Sequence, residues 1–174
     1  MLSSTEENYI KSIFKLSGRS HKNVSTNAIA DDLQTSAASV TDMIKRLSEK
    51  NMVEYAKYKG TVLTREGEAV AKLLIRKHRL WEVFLVQHLG FNWDEVHEIA
   101  EQLEHIQSQT LTEKLDEFLQ FPKVDPHGDP IPDADGNIIY EEQLPLAEFK
   151  VGESGVIIGV KDTSSSFLQH LDKI

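Results

Sequence analysis

The stretch from Val24 to Leu63 restricts the fold more than any other part of the chain. Ser25 or Thr26 can cap a short helix, NAIADDLQ, that turns Ala28, Ile29 and Leu33 inward. Thr35-Ser36-Ala37 makes a tight turn. A second helix over roughly Ala38–Lys50 then buries Val40, Met43, Ile44 and Leu47. Val53 and Tyr55, a Lys59-Gly60 turn, and Val62 with Leu63 form a two-stranded hairpin. Helix, turn, helix and hairpin in that order make a winged helix-turn-helix, a shape that enters the major groove of double-stranded DNA. The outer face of the second helix offers Ser36, Ala38, Ser39, Thr41, Asp42, Lys45 and Arg46. Its small side chains permit close approach to base edges, while Lys45, Arg46 and the hairpin's Lys57 and Lys59 reach phosphates. Protein-interaction modules also use small segments of this kind.

Charge is divided unevenly along the chain. Residues 1–76 carry 12 Lys and Arg against 9 Asp and Glu, and residues 77–174 carry 7 against 19. A basic front on a strongly acidic back fits a DNA-contacting head on a cation-binding body. No apolar run is long enough to cross a membrane, and no secretory signal opens the chain, so the expected location is cytoplasmic. With no cysteine, any metal must be held by imidazole, carboxylate, amide or backbone oxygen.

The remaining elements read as helices with turns between them. Residues 4–17 form a first helix starting at Ser4 or Thr5, with Tyr9, Ile10, Ile13, Phe14 and Leu16 apolar. A long helix runs from Glu66 to about His88 and carries His78 and Glu82 at i, i+4. A helix over Val96–Ile106, VHEIAEQLEHI, places His97, Glu101, Glu104 and His105 on one face, a start on a mixed N/O metal site. An amphipathic helix over about Leu111–Gln120 supplies either core or a dimer seam. The Pro/Asp/Gly-rich stretch that follows is a loop holding Asp125 and His127, and its DADG piece is a turn that lacks the closing acid of a calcium loop. The tail suggests strands, with an apolar one over Val156–Val160, and then a short helix.

A winged helix followed by RKHRLWEVFL, VHEIAEQLEH and FPKVDPHGDPIP closely resembles the diphtheria toxin repressor and manganese transport regulator family over nearly the whole chain. The resemblance implies a mainly α protein in three parts. Residues 1–74 would be the winged-helix DNA-binding domain, 75–143 a helical metal-binding and dimerisation domain, and 144–174 the start of an SH3-like β domain. It implies a cytoplasmic homodimer that binds a palindromic operator when loaded with Mn2+ or Fe2+ and represses metal-uptake genes.

Position by position, the resemblance implies an activating site at Glu101, Glu104 and His105 with Asn8 of the first helix. A second site would comprise His78, Glu82 and His97, joined by Asp125, His127 and Asp162. Glu101 stands where iron-type members tend to have cysteine, which points to the manganese branch and suits a hard cation. Asn8 matches neither branch, and Lys11 stands where some manganese-type members have a glutamate. Two other readings compete. One is a metal-independent winged-helix regulator with a structural His/Glu cluster. The other is a metallohydrolase, which the absence of an HExxH helix disfavours.

Overall fold

The structure is a computed structural model that describes residues 2–56, 59–140, 144–155, 167 and 170. It divides into two compact units, Met1–Ile75 and Arg76–Ile174.

In the first unit, α1 (Ser4–Ser17) is capped by Ser3, one residue earlier than the sequence suggests. Ser3 accepts from the Glu6 backbone while the Glu6 carboxylate reaches back to Ser3, so each satisfies an orphan donor of the other. Lys50 Nζ lies 2.6 Å from the second Glu6 oxygen and holds its carboxyl below the usual range. Helices α2 (Thr26–Asp32) and α3 (Ala37–Glu49) are capped by Ser25 and Ser36 and make the expected helix-turn-helix. Strands β1 (Val53–Ala56) and β2 (Gly60–Leu63) pair antiparallel, with Val53 opposite Leu63 and Ala56 opposite Gly60. Val24 bridges to Thr61 and ties the approach to α2 onto the wing. Gly60 sits at φ +96°, and a Cβ there would stand 2.7 Å from the Val24 carbonyl oxygen, so the wing's close approach requires glycine. Ile10, Ile13, Ile29, Val40, Ile44 and Leu47 form a sealed core between α1, α2 and α3. That core holds α3 with its polar face outward.

Helix α4 (Arg65–Leu89) is a continuous 25-residue element, started by Thr64, whose hydroxyl accepts from Gly67. In the second unit it is followed by α5 (Val96–Leu103) and α6 (Gln109–Phe118), the latter capped by Ser108. Leu80 and Val83 of α4 pack on Leu115, Leu119 and Ile131, and Leu85 packs on Val96 and Ala100. Leu111 and Phe118 of α6 remain outside, with Phe118 58% exposed against Phe84 and His88. Thus α6 supplies both core and an exposed apolar edge.

The expected helix over Val96–Ile106 is shorter than its pattern suggests. It ends at Leu103, and Glu104 is its cap. The DADG segment is a turn, as expected: Asp133 Oδ1 accepts from the backbone of Asp135 and Asn137. Among the described residues of the tail, 144–155 hold only a 3-10 turn, Leu146–Glu148, where strands were expected. The strand expected over Val156–Val160, together with Asp162, Lys57 and Tyr58, lies outside the described residues. Among the described residues no helix is long and apolar enough to cross a membrane.

Candidate metal centre

The centre is built in the second unit on α4. His78 and Glu82, one turn apart, point away from solvent, and α5 brings His97 to them. His78 Nε2 lies 3.0 Å from Glu82 Oε1 and 3.1 Å from His97 Nδ1, and His97 Nδ1 lies 3.3 Å from the same Glu82 oxygen. Three donors thus mark a nearly equilateral triangle. A cation with bonds of about 2.1–2.2 Å holds adjacent ligands about 3 Å from one another, so the spacing fits. Two imidazoles and one carboxylate on one face are also a recognised donor set for a divalent transition metal with open positions.

Glu104, the cap of α5, keeps helical dihedrals and its N–H bonds the Ala100 carbonyl, so it stays on the His97 side of the helix, as its spacing suggests. It is fully buried and its Oε2 lies 2.6 Å from His78 Nδ1. His78 therefore stands between two carboxylates. Burial alone would lower its pKa, but the hydrogen bonds to Glu104 and Glu82 overcome this and hold it at about 9. Burial would likewise raise Glu82, yet the bonds to His78 and His97 hold it at about 2. A proton on His78 thus balances the two carboxylates. Glu104 fixes which nitrogen of His78 faces the triangle, the arrangement by which outer carboxylates orient metal-binding imidazoles.

The second oxygen of Glu82 turns to another triad, with Asp125 and His127 from the loop after α6. His127 Nδ1 lies 3.9 Å from Glu82 Oε2 and 3.9 Å from Asp125 Oδ1. His127 Nε2 donates to the Trp93 carbonyl at 2.9 Å, so Nδ1 is the nitrogen that faces the carboxylates. The Trp93 and His127 rings lie nearly parallel, with centroids 6.2 Å apart. Asp125 Oδ1 already accepts from the backbone of His127 and Asp129, at 2.8 and 2.9 Å. Burial and the Glu82 charge push Asp125 up to about 6, against the opposing pull of Asp129's N–H and Arg79.

The structure brings Glu104 Oε1 to 3.8 Å from His105 Nε2, and pairs Glu101 with His97 Nε2 at 3.7 Å. Glu101, Glu104 and His105 are not drawn into a single compact triad, while His78, Glu82 and His97 are. Asn8, in the first unit, has a buried Oδ1 that accepts no hydrogen bond, and a buried orphan acceptor of this kind carries an unmet demand for a donor or a cation.

On the head, Ser36, Ala38, Ser39, Asp42, Lys45, Arg46 and Lys59 are exposed, while Thr41 is partly so. Some of their polar groups are already engaged. The Ser36 hydroxyl caps α3, Thr41 bonds back to the Ala37 carbonyl, and Lys45 lies 3.2 Å from Asp42.

Sequence reasoning missed the residues that pin the Asp125 loop. Arg76 donates to the Pro132 carbonyl and to Asp116, both at 2.5 Å. Arg79 donates to the Pro130 carbonyl and pairs with Asp125 and Asp129. The basic run RKHR, set in an acidic half, was the available signal.

The fold and the cluster together define a chain with a winged-helix first unit and a helical second unit that carries an imidazole–carboxylate cluster. The head, residues 1–61, matches the family model of the iron dependent repressor N-terminal DNA binding domain. Residues 64–133 match that of the iron dependent repressor metal binding and dimerisation domain. The chain belongs to the iron-dependent repressor family, the diphtheria toxin repressor and manganese regulator group. It is 33% identical over 128 residues to the iron-dependent repressor IdeR of Mycobacterium leprae, covering 74% of this chain and 55% of that one. To the regulator MntR of Oceanobacillus iheyensis it is 32% identical over 120 residues, covering 68% of this chain and 80% of that one. Among solved structures it is similar to a manganese-dependent transcriptional repressor in complex with manganese. The TM-score is 0.83 at 36% identity, over 97% of this chain and 77% of that one. The chain spans little more than half the length of the curated IdeR sequences it matches.

Proposed function

We propose that this protein is a metal-dependent transcriptional repressor that responds to Mn2+, with Fe2+ as the alternative. It binds a palindromic double-stranded operator as a homodimer in the cytoplasm, without a membrane, and controls metal-uptake genes. The parts are a DNA-binding domain over 1–74, a metal-binding and dimerisation domain over 75–143, and a further domain beginning at 144. The reading is carried by the triangle of His78 Nε2, His97 Nδ1 and Glu82 Oε1, whose sides of 3.0, 3.1 and 3.3 Å suit adjacent ligands of one cation.

His78, Glu82 and His97 hold the ion at that triangle, and Glu104 orients His78 for it. Asp125 and His127 offer a second position with Glu82, and Asp162 is assigned to it by resemblance. Glu101, Glu104 and His105 are further donors in the body, and Asn8 is the donor of the head. The bound cation supplies positive charge among these carboxylates and fixes the donor side chains in place. Donors drawn from oxygen and imidazole, with no thiolate, support manganese over softer ions. On the head, Ala38 and Ser39 leave room for base edges. Lys45, Arg46, Lys57 and Lys59 serve the phosphates. The exposed α6 edge around Leu111 and Phe118 supports self-association.

Selection of DNA from a random duplex pool, run in parallel with Mn2+, with anaerobic Fe2+ and with chelator, tests the reading. A palindrome enriched with metal and lost with chelator is the expected result. Equal enrichment in chelator would refute metal dependence and leave a metal-independent winged-helix regulator.

A further inference from the structure

The two triads that share Glu82 differ in what stands beside them. Asp125 faces the guanidinium of Arg79, whose charge no accessible pH removes. Arg79 Nε lies 3.5 Å from Asp125 Oδ2, and Arg79 Nη2 lies 3.4 Å from Asp129. The guanidinium also donates to the Pro130 carbonyl, which fastens it to the loop that carries Asp125 and His127. Asp125 Oδ1 is taken by two backbone N–H groups, so Oδ2 is its less committed oxygen, and Arg79 stands beside it. The triad is also wider than its neighbour, with His127 Nδ1 at 3.9 Å from both carboxylates.

We propose that Arg79 is a built-in competitor for the cation at Glu82, Asp125 and His127, a specificity-determining residue that raises the metal concentration at which this triad fills. The inference rests on the proposed metal-binding role of the triad. A cation arriving there meets a fixed positive charge one side chain away and must share or take Asp125 Oδ2 from it. Like charges at such a distance repel even with strong screening. The described hydrogen bonds of the triangle at His78 run among histidines and carboxylates alone.

The test measures Mn2+ binding to the full chain, following free Mn2+ by electron paramagnetic resonance together with tryptophan fluorescence. Trp93, stacked beside His127, makes the second signal local. The step belonging to the triad is defined as the one that His127→Ala removes. Arg79→Gln keeps a donor for the Pro130 carbonyl but removes the charge, and it is expected to tighten that step by about tenfold. Arg79→Lys restores the charge and is expected to return the step to near its wild-type position. If Arg79→Gln leaves the step unchanged, or weakens it, the proposal is overturned. The same holds if Arg79→Lys tightens it as much as Arg79→Gln does, because shape and not charge would then be at work. Absence of any His127-dependent step in wild type and Arg79→Gln alike would overturn the triad's metal role itself, a separate failure.

Discussion

His78 makes the metal-free body sensitive to alkali and its metal affinity sensitive to acid. Its pKa stands at about 9 against an ordinary value of 6.5. The folded state therefore binds a proton more tightly than the unfolded chain does. Stability from that proton is fully present below about pH 6.5, is lost as pH rises toward 9, and is gone above it. A shift of this size corresponds to about 3 kcal/mol, given that one pKa unit is about 1.4 kcal/mol. Glu82, held at about 2, describes largely the same contact from the other side and is not counted again. It adds only that the contact fails in acid, as pH falls from about 4.5 toward 2. Urea unfolding of the chelated protein, followed by tryptophan fluorescence from pH 5 to 10, should show stability falling across pH 6.5–9. Glu104→Gln keeps an acceptor for His78 Nδ1 but removes its charge, so the fall should shrink and shift to lower pH. Conversely, Mn2+ must displace the Nε2 proton to bind. Its affinity should then rise by about one decade per pH unit between pH 7 and 9, as displacement of one proton requires. Flat stability over pH 6.5–9 together with pH-independent Mn2+ affinity would refute the assignment of that proton.

Other consequences are equally direct. Asn8→Asp puts an anion at the buried orphan acceptor and should tighten Mn2+ binding by roughly tenfold or more, since a hard cation prefers carboxylate oxygen to amide oxygen, whereas an unchanged isotherm would remove Asn8 from the donors. Arg76→Ala leaves Asp116 and the Pro132 carbonyl without their guanidinium. It should cost about 3–5 kcal/mol in urea unfolding, and a loss under about 1 kcal/mol would show the pair to be unimportant. Lys59→Ala should weaken operator binding uniformly and lower the salt slope by about 0.9, as loss of one phosphate contact requires. An unaltered slope would take Lys59 off the backbone.

The head was legible because its signals are local. Ser25 announces the start of α2, and the apolar residues of α3 repeat at the helical period. The Lys59-Gly60 turn sits where β2 begins. His78 and Glu82 could be read as one turn apart on a helix, while their meeting with His97 was an expectation from the family resemblance. Glu104 was legible as a member of the His97 face, but its partner was not: His78 stands 26 residues earlier, on another helix. Arg76 and Arg79 were hidden in the same way. Their partners Asp116, Asp125, Pro130 and Pro132 lie 40 to 56 residues further on, and nothing in a single sequence distinguishes an arginine bound for solvent from one bound for a distant carbonyl.

Glu82 presents one oxygen to His78 and His97 and the other to His127. In genetic terms this makes it a shared node. On the proposed metal-binding role, loss of His97 or of His127 should remove one position, and a single codon change at Glu82 should remove both. Losses at the two histidines should therefore combine to resemble the Glu82 phenotype, and adding either of them to a Glu82→Ala background should change little more. A chain wired this way has little redundancy at its centre, and drift in metal preference has room to begin at the outer histidines while Glu82 stays fixed.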